Sequence, residues 1–128
     1  MTALADTSVF IAREQSRAPS LPADESEEIA VSVVTVAELR LGVLLAADIE
    51  SRAARLATLR VAEALEPLPV DDRVGATWAR LVATLKAAGK RMPINDSWIA
   101  ATALAHELAV LTQDADFDVV PGLRVIKL

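Results

Sequence analysis

Short apolar runs alternate with longer stretches of helical periodicity along this chain. Ala3-Leu4-Ala5 leads directly into Asp6, which predicts a brief first strand and then a helix through Val9–Ala12. Ile29–Val34 is β-branched and almost continuously apolar, the pattern of a parallel strand buried on both faces. Thr35 is placed to cap the next helix, with Glu38 three residues on as its capping-box partner, and that helix is expected from Val36 to about Leu45. Asp48 caps another, running to about Ala64 with apolar residues at Ile49, Ala53, Leu56, Leu59 and Ala62. The prolines within Leu65–Val70 limit that segment to a short or edge strand. Asp71 or Asp72 opens a helix through Val74, Trp78, Leu81, Val82 and Leu85. Gly89 ends it, with Lys86, Lys90 and Arg91 at the end that favours cations. Asn95 or Asp96 opens a last helix through Trp98, Ile99, Ala103 and Leu104 to Glu107. Ala109–Leu111 and Leu123–Ile126 read as strands, with the polar segment Thr112–Asp118 between them. Residues 16–28, rich in Pro, Ser and acid, read as a loop.

Strands that alternate with helices predict an α/β fold, a small and mainly parallel sheet flanked by helices. Residues 1–128 suit one domain. The apolar fraction of 53% is ample for a core, but aromatics are only 3%, so that core must be built from Ala, Val, Leu and Ile. The absence of cysteine removes disulfides, thiolate metal sites and a Cys nucleophile together. With neither an 18-residue apolar run nor a signal-peptide pattern, no membrane association is expected, and a cytoplasmic location is. The net charge of −5 argues against a module that binds nucleic acid through basic residues alone. It does not argue against a nuclease whose carboxylates hold metal ions, because those ions restore positive charge at the site.

The acids at the ends of the apolar segments then become informative. In parallel α/β sheets, ligand sites gather beyond the carboxyl ends of the strands. Asp6 follows the first strand directly, Asp114 follows the Ala109–Leu111 strand closely, and Glu38 lies on the first turn after Ile29–Val34. Asp96 starts a helix and joins them if that helix points its N-terminus at the same edge. Taken singly, each has an ordinary use: Asp96 as an N-cap, Glu38 in a capping box, Asp114 in a turn. Taken together, unpaired carboxylates at apolar segment ends are costly unless a cation shares them. Oxygen-only ligands point to a hard divalent ion, Mg²⁺ or Mn²⁺.

Four stretches now bear comparison with a known family. They are Ala5-Asp6-Thr7-Ser8, Val34-Thr35-Val36-Ala37-Glu38-Leu39-Arg40-Leu41-Gly42, Asn95-Asp96-Ser97-Trp98-Ile99-Ala100-Ala101-Thr102-Ala103 and Leu111-Thr112-Gln113-Asp114-Ala115-Asp116-Phe117. In this order and at these separations the chain resembles the PIN-domain family, and within it the VapC toxins of bacterial toxin–antitoxin pairs. The resemblance extends from residue 2 to residue 126, and its wording is similar to that of mycobacterial members.

That resemblance implies a PIN-like fold and a Mg²⁺- or Mn²⁺-dependent endoribonuclease that leaves 5′-phosphate and 3′-hydroxyl ends on RNA, with transfer and ribosomal RNA as candidate substrates. It implies Asp6, Glu38, Asp96 and Asp114 as catalytic metal ligands, with Asp116 a nearby acid, Thr7 or Ser8 a hydroxyl at the site, and Thr112 another ahead of Asp114. It also implies a homodimer neutralised by a VapB-type antitoxin in a hetero-oligomer that reaches operator DNA only through the antitoxin. The apolar stripes of the helices within 36–64 then offer either a groove for an antitoxin helix or plain core. Arg13, Arg17, Arg40, Lys90 and Arg91 are candidates for phosphate contacts, or ordinary surface charge. His106, the sole histidine, is expected at a helix end facing solvent or the helix dipole rather than in catalysis, and Trp98 in the core or a dimer contact. The alternative of another class is a catalytically silent PIN-like binding or assembly module. A receiver-type phosphoryl acceptor would need an acidic pair near residue 10 and a Lys at a late strand end; only Asp6 and the terminal Lys127 are present. A DNA-acting 5′-nuclease would need basic helical insertions that are absent here.

Overall fold

A computed structural model of the chain describes residues 3–15 and 29–128. The loop expected over residues 16–28, and Arg17 with it, lies outside the described residues. The element order is β1 (Ala3–Ala5), α1 (Thr7–Glu14), β2 (Ile29–Val31), α2 (Val33–Leu44), α3 (Ile49–Glu63), α4 (Asp72–Ala87), α5 (Ile94–Ala105), β3 (Ala109–Thr112), a short 3-10 helix (Ala115–Val119) and β4 (Val125–Lys127). The strands lie in the order β2-β1-β3-β4, and every pairing is parallel. The α/β architecture expected from the alternation is therefore present.

The register divides the core in two. Successive strand side chains point to opposite faces, and Ala3, Leu4 and Ala5 pair with Ile29, Ala30 and Val31 on one side and with Ala109, Val110 and Leu111 on the other. Ala3, Ala5, Ile29, Val31, Ala109 and Leu111 thus share one face. There they meet Val9 and Phe10 of α1, Val36, Leu39 and Val43 of α2, and Leu59 and Ala62 of α3. Leu4, Ala30 and Val110 share the other face, against Leu81 and Leu85 of α4, Ile99, Ala100 and Ala103 of α5, and Phe117. Because β1, β2 and β3 are covered on both faces, they read as continuous apolar runs without alternation.

Several boundaries differ from the sequence expectation. The strand read as Ile29–Val34 stops at Val31, and Val33 and Val34 open α2. Ser32 is the reason: its hydroxyl accepts from the Val34 backbone N–H and caps the helix. Thr35 is consequently inside α2, not at its cap, and Glu38 is not a capping-box partner. Leu65–Val70 contributes a single parallel bridge, Ser32 with Leu68, flanked by hydrogen bonds from Val33 N to Leu68 O and from Leu68 N to Val31 O.

Asp48 and Asp71 cap α3 and α4 through their side chains. Gly89, at φ +67°, closes α4: its N–H reaches Lys86 O and the Lys90 N–H reaches Leu85 O. Pro93 occupies the cap position of α5 and offers no side-chain acceptor, and neither Asn95 nor Asp96 caps that helix. The helix ends at Ala105, where Glu107 takes the left-handed conformation (φ 56°) usually left to glycine. The last strand begins at Val125 rather than Leu123.

Candidate functional site

Asp6 leaves β1 where Thr112 ends β3, and the Ala5–Leu111 pairing brings the two to the same edge of the sheet. The Asp6 N–H continues the ladder by donating to Leu111 O at 2.9 Å. Asp6 is only 2% exposed. A carboxylate that deep must be answered by donors, and three are in place. Oδ1 accepts from the Thr7 N–H at 2.7 Å, and Oδ2 accepts from the hydroxyls of Ser8 and Thr112, each at 2.8 Å. Oδ2 thereby has both lone pairs engaged, and Oδ1 keeps one free.

The hydroxyls around Asp6 are themselves tied. Ser8 Oγ accepts from the Gln113 N–H at 3.1 Å, and Thr112 Oγ1 accepts from the Asp114 N–H at 2.9 Å. The network therefore ties the β1–α1 junction to the turn after β3. Thr7 extends it to α2: its hydroxyl donates to Glu38 Oε1 at 2.7 Å and lies 3.0 Å from Thr35 Oγ1, which is fully buried. Glu38 keeps its second oxygen free of these bonds.

Asp96 arrives from the opposite layer, on the first turn of α5. The burial of Ile99, Ala100 and Ala103 against the sheet fixes that helix and aims its N-terminus at the strand ends. Asp114 precedes the 3-10 helix and makes no side-chain cap bond, so it is not held as a turn-stabilising group. Phe117, fully buried in the second core cluster, anchors that turn. Asp114 and Asp116 are brought to Asp96, and carboxylate oxygens of the three all lie within 4.8 Å of one another. Asp116, left open by the sequence, belongs to this group; its two-residue spacing from Asp114 was the available signal.

The electrostatics reflect this crowding. Desolvation first, then the charge of Asp6, the contact and charge of Asp116 and the charge of Glu38 push the Asp96 carboxyl up to about 7. Desolvation, Asp116 and Asp6 raise that of Asp114. Among the described residues, none of the five acids has a salt-bridge partner; the ion pairs are Arg40–Glu63, Arg60–Glu63 and Lys127–Asp118. The donor set fits a hard divalent cation. It is all oxygen, it lacks a counter-charge, and oxygens of Asp96, Asp114 and Asp116 lie within 4.8 Å of one another, near enough for one ion to be shared.

The remaining candidates fall elsewhere. Arg40 pairs with Glu63 on the surface, and Arg13 lies in a shallow hollow between α1 and α3. Lys90 and Arg91 border a cleft beside the first turn of α5. His106 ends α5 as its C-cap, but its Nε2 is enclosed without a partner rather than open to solvent. Trp98 stacks on Trp78, with ring centroids 4.2 Å apart and planes inclined by 3°. Sequence reasoning missed Ser97, which accepts from Trp78 Nε1 at 2.9 Å and donates to Ile94 O at 2.5 Å, bracing the turn that carries Asp96.

Comparison with known proteins agrees with this geometry. Residues 3–123 match the PIN domain family. The chain is 54% identical to Ribonuclease VapC4 of Mycobacterium tuberculosis, over 98% of this chain and 96% of that one. It is 48% identical to Ribonuclease VapC5 of the same species, over 96% and 90% respectively. Among solved structures it superposes with a TM-score of 0.83 and 42% identity, over 100% of both chains, on the crystal structure of VapBC-5 from M. tuberculosis, a member of the VapBC toxin–antitoxin family. On fold, site chemistry and sequence alike, this chain belongs to the PIN-domain family, among the VapC ribonucleases.

Proposed function

We propose that this chain is the toxin of a type II toxin–antitoxin pair, an endoribonuclease that hydrolyses RNA phosphodiesters to 5′-phosphate and 3′-hydroxyl ends with Mg²⁺ or Mn²⁺. The observation that carries this reading is the all-carboxylate cluster at the carboxyl edge of a parallel sheet, without a basic partner among the described residues. The ribonuclease names of the 54% and 48% identical relatives support it.

Asp6, Glu38, Asp96 and Asp114 are the proposed ligands, with Asp116 assisting. These residues would hold a divalent ion, which would supply neutralisation of the phosphoryl charge and a more acidic water. The chain supplies position. Asp6 offers the one lone pair that Thr7, Ser8 and Thr112 leave unused. Glu38, steadied by Thr7, keeps one oxygen to orient a water. Asp96, whose carboxyl is pushed up to about 7 by burial and the neighbouring acids, would exchange a proton for a bound cation.

The relative solved as a VapBC complex supports a VapB-type antitoxin as partner. A hollow lined by Ile11, Leu39, Gly42, Arg55 and Glu38 runs from α1 to α3 and includes a site residue in its wall. An antitoxin helix seated there would cover both apolar surface and Glu38. Among the described residues, no helix is long and apolar enough to cross a membrane.

The test is cleavage of total RNA by the purified chain, with the new ends sequenced. Cleavage should need Mg²⁺ or Mn²⁺, stop with chelator and stop in Asp96→Asn. A chain inert toward RNA with either ion would instead be a silent PIN-like module.

A further inference from the structure

One long stretch of this acidic protein carries only positive charge. Between Asp72 and Asp96 every charged residue is a cation: Arg73, Arg80, Lys86, Lys90 and Arg91. Three of these, Lys86, Lys90 and Arg91, converge on one cleft of about 350 Å³. Its walls are apolar, made by Trp78, Val82, Met92 and Ile94. Ser97, the residue that follows Asp96, also lines it.

Topology puts this cleft at the same end of the molecule as the acids. The first turn of α5 carries Asp96 to the strand ends, and α4 runs up to that turn through the connection at residues 88–93. The Gly89 turn fixes Lys90 and Arg91 on that connection, since the Lys90 N–H is bonded to Leu85 O at 2.8 Å. Lys86, Lys90 and Arg91 are exposed and have no salt-bridge partner among the described residues. The first turn of α5 has no side-chain cap, so its leading N–H groups add to the positive potential.

We propose that this cleft is a nucleotide subsite of the ribonuclease, which takes one base of the RNA strand beside the scissile phosphate while Lys90 and Arg91 hold the adjoining phosphates. This deepens the ribonuclease reading and rests on it. The volume lies at the low end of the roughly 300–1,000 Å³ usual for small-molecule clefts, a size for one nucleoside rather than a helix. An apolar slot with a cationic rim matches a flat base joined to anionic phosphates. The acids alone would repel that strand, so a separate cationic anchor solves a problem the metal site creates. The Trp78 ring face is already occupied by Trp98, so the base would pack on Met92, Val82 and the Trp78 edge rather than on an open aromatic face.

The test is steady-state cleavage of a short RNA by wild type, Lys90→Ala/Arg91→Ala and the charge-keeping Lys90→Arg/Arg91→Lys. Neutralisation should raise KM on the order of tenfold, with kcat within about threefold. The slope of log kcat/KM against log salt should become shallower by about 1.4, two contacts at roughly 0.7 each on single strands. The charge-keeping variant should retain the wild-type slope. A wild type that cleaves while the neutral variant keeps its KM and slope overturns the subsite alone; a wild type that cleaves no RNA overturns the ribonuclease reading itself. If neutralisation instead changes the mass by light scattering with the slope unaltered, the cleft is a contact between copies of the chain and the proposal fails.

Discussion

Thr112 donates its hydroxyl to Asp6 Oδ2 at 2.8 Å, a bond that closes 106 residues of chain and joins the ends of two adjacent strands. The same hydroxyl oxygen accepts from the Asp114 N–H. One hydroxyl thus orients a buried carboxylate and sets the path of the loop that brings in two more. Thr112→Val keeps the shape and removes both bonds. It should cost about 1.5–3 kcal/mol in urea unfolding, since the lost hydroxyl donates to a charged, buried carboxylate. RNA cleavage should fall further than the stability loss explains, because Asp114 loses its anchor. Unfolding that matches wild type would mean that Asp6 is held by Ser8 and Thr7 alone.

Asp6 and Asp96 should respond oppositely to neutralisation. Asp6 answers three donors, so Asp6→Asn turns an amide N–H₂ toward groups that are themselves donating, and should destabilise the metal-free chain. Asp96 sits among like charges without a bonded cation, and Asp96→Asn relieves repulsion. Its melting temperature without metal should equal or exceed wild type while cleavage drops at least about a hundredfold, the signature of a residue kept for function at the expense of stability. A lowered melting temperature in metal-free Asp96→Asn would make that carboxylate structural instead.

The raised Asp96 value gives a sign for pH. Its folded carboxyl titrates at about 7 against 3.8 for an unperturbed aspartate, so between those values the folded chain binds more protons than the unfolded one. Stability from this group is fully present below 3.8 and is lost as pH rises through about 7. The metal-free chain should therefore melt at progressively lower temperature from about pH 5 to pH 8, relative to Asp96→Asn. A divalent cation competes with that proton, so calorimetric Mn²⁺ affinity should climb over the same interval with net proton release. An Mn²⁺ affinity flat from about pH 5 to pH 8 would remove Asp96 from the ligand set.

Much of this was legible because strand and helix runs are apolar in different ways. Ala3–Ala5 and Ala109–Leu111 are too short for helices and end at polar residues, so both strands and the edge they share could be read directly. The failures are local competitions. Val33 and Val34 are β-branched, yet a Ser32 cap and burial of the helix face outweighed strand propensity. Glu38 and Asp96 were open to reading as caps, because sequence spacing alone cannot tell a carboxylate bonded to its own helix from one bonded to Thr7, 31 residues away, or facing other acids. Nothing local announced that Phe117 would be buried and would fold Asp114 and Asp116 onto Asp96. The Trp78–Trp98 stack depends on how α4 crosses α5, which neither helix encodes alone.

The hollow beside Glu38 offers a way to test inhibition apart from catalysis. Ile11 is exposed on α1 and contributes no hydrogen bond to the acidic network, but it lines the hollow together with Leu39 and Glu38. Ile11→Lys should leave unfolding within about 0.5 kcal/mol, as expected of an exposed helix position, and should leave cleavage by the free chain intact. A VapB-type antitoxin helix relying on that apolar wall should bind at least about tenfold more weakly, since a desolvated aliphatic anchor is worth roughly 1.5 kcal/mol or more. In cells the substitution should then behave as a toxin that escapes its antitoxin, arresting growth at antitoxin levels that silence wild type. Unchanged affinity by calorimetry would move the antitoxin to another face and leave this hollow as ordinary surface between packed helices.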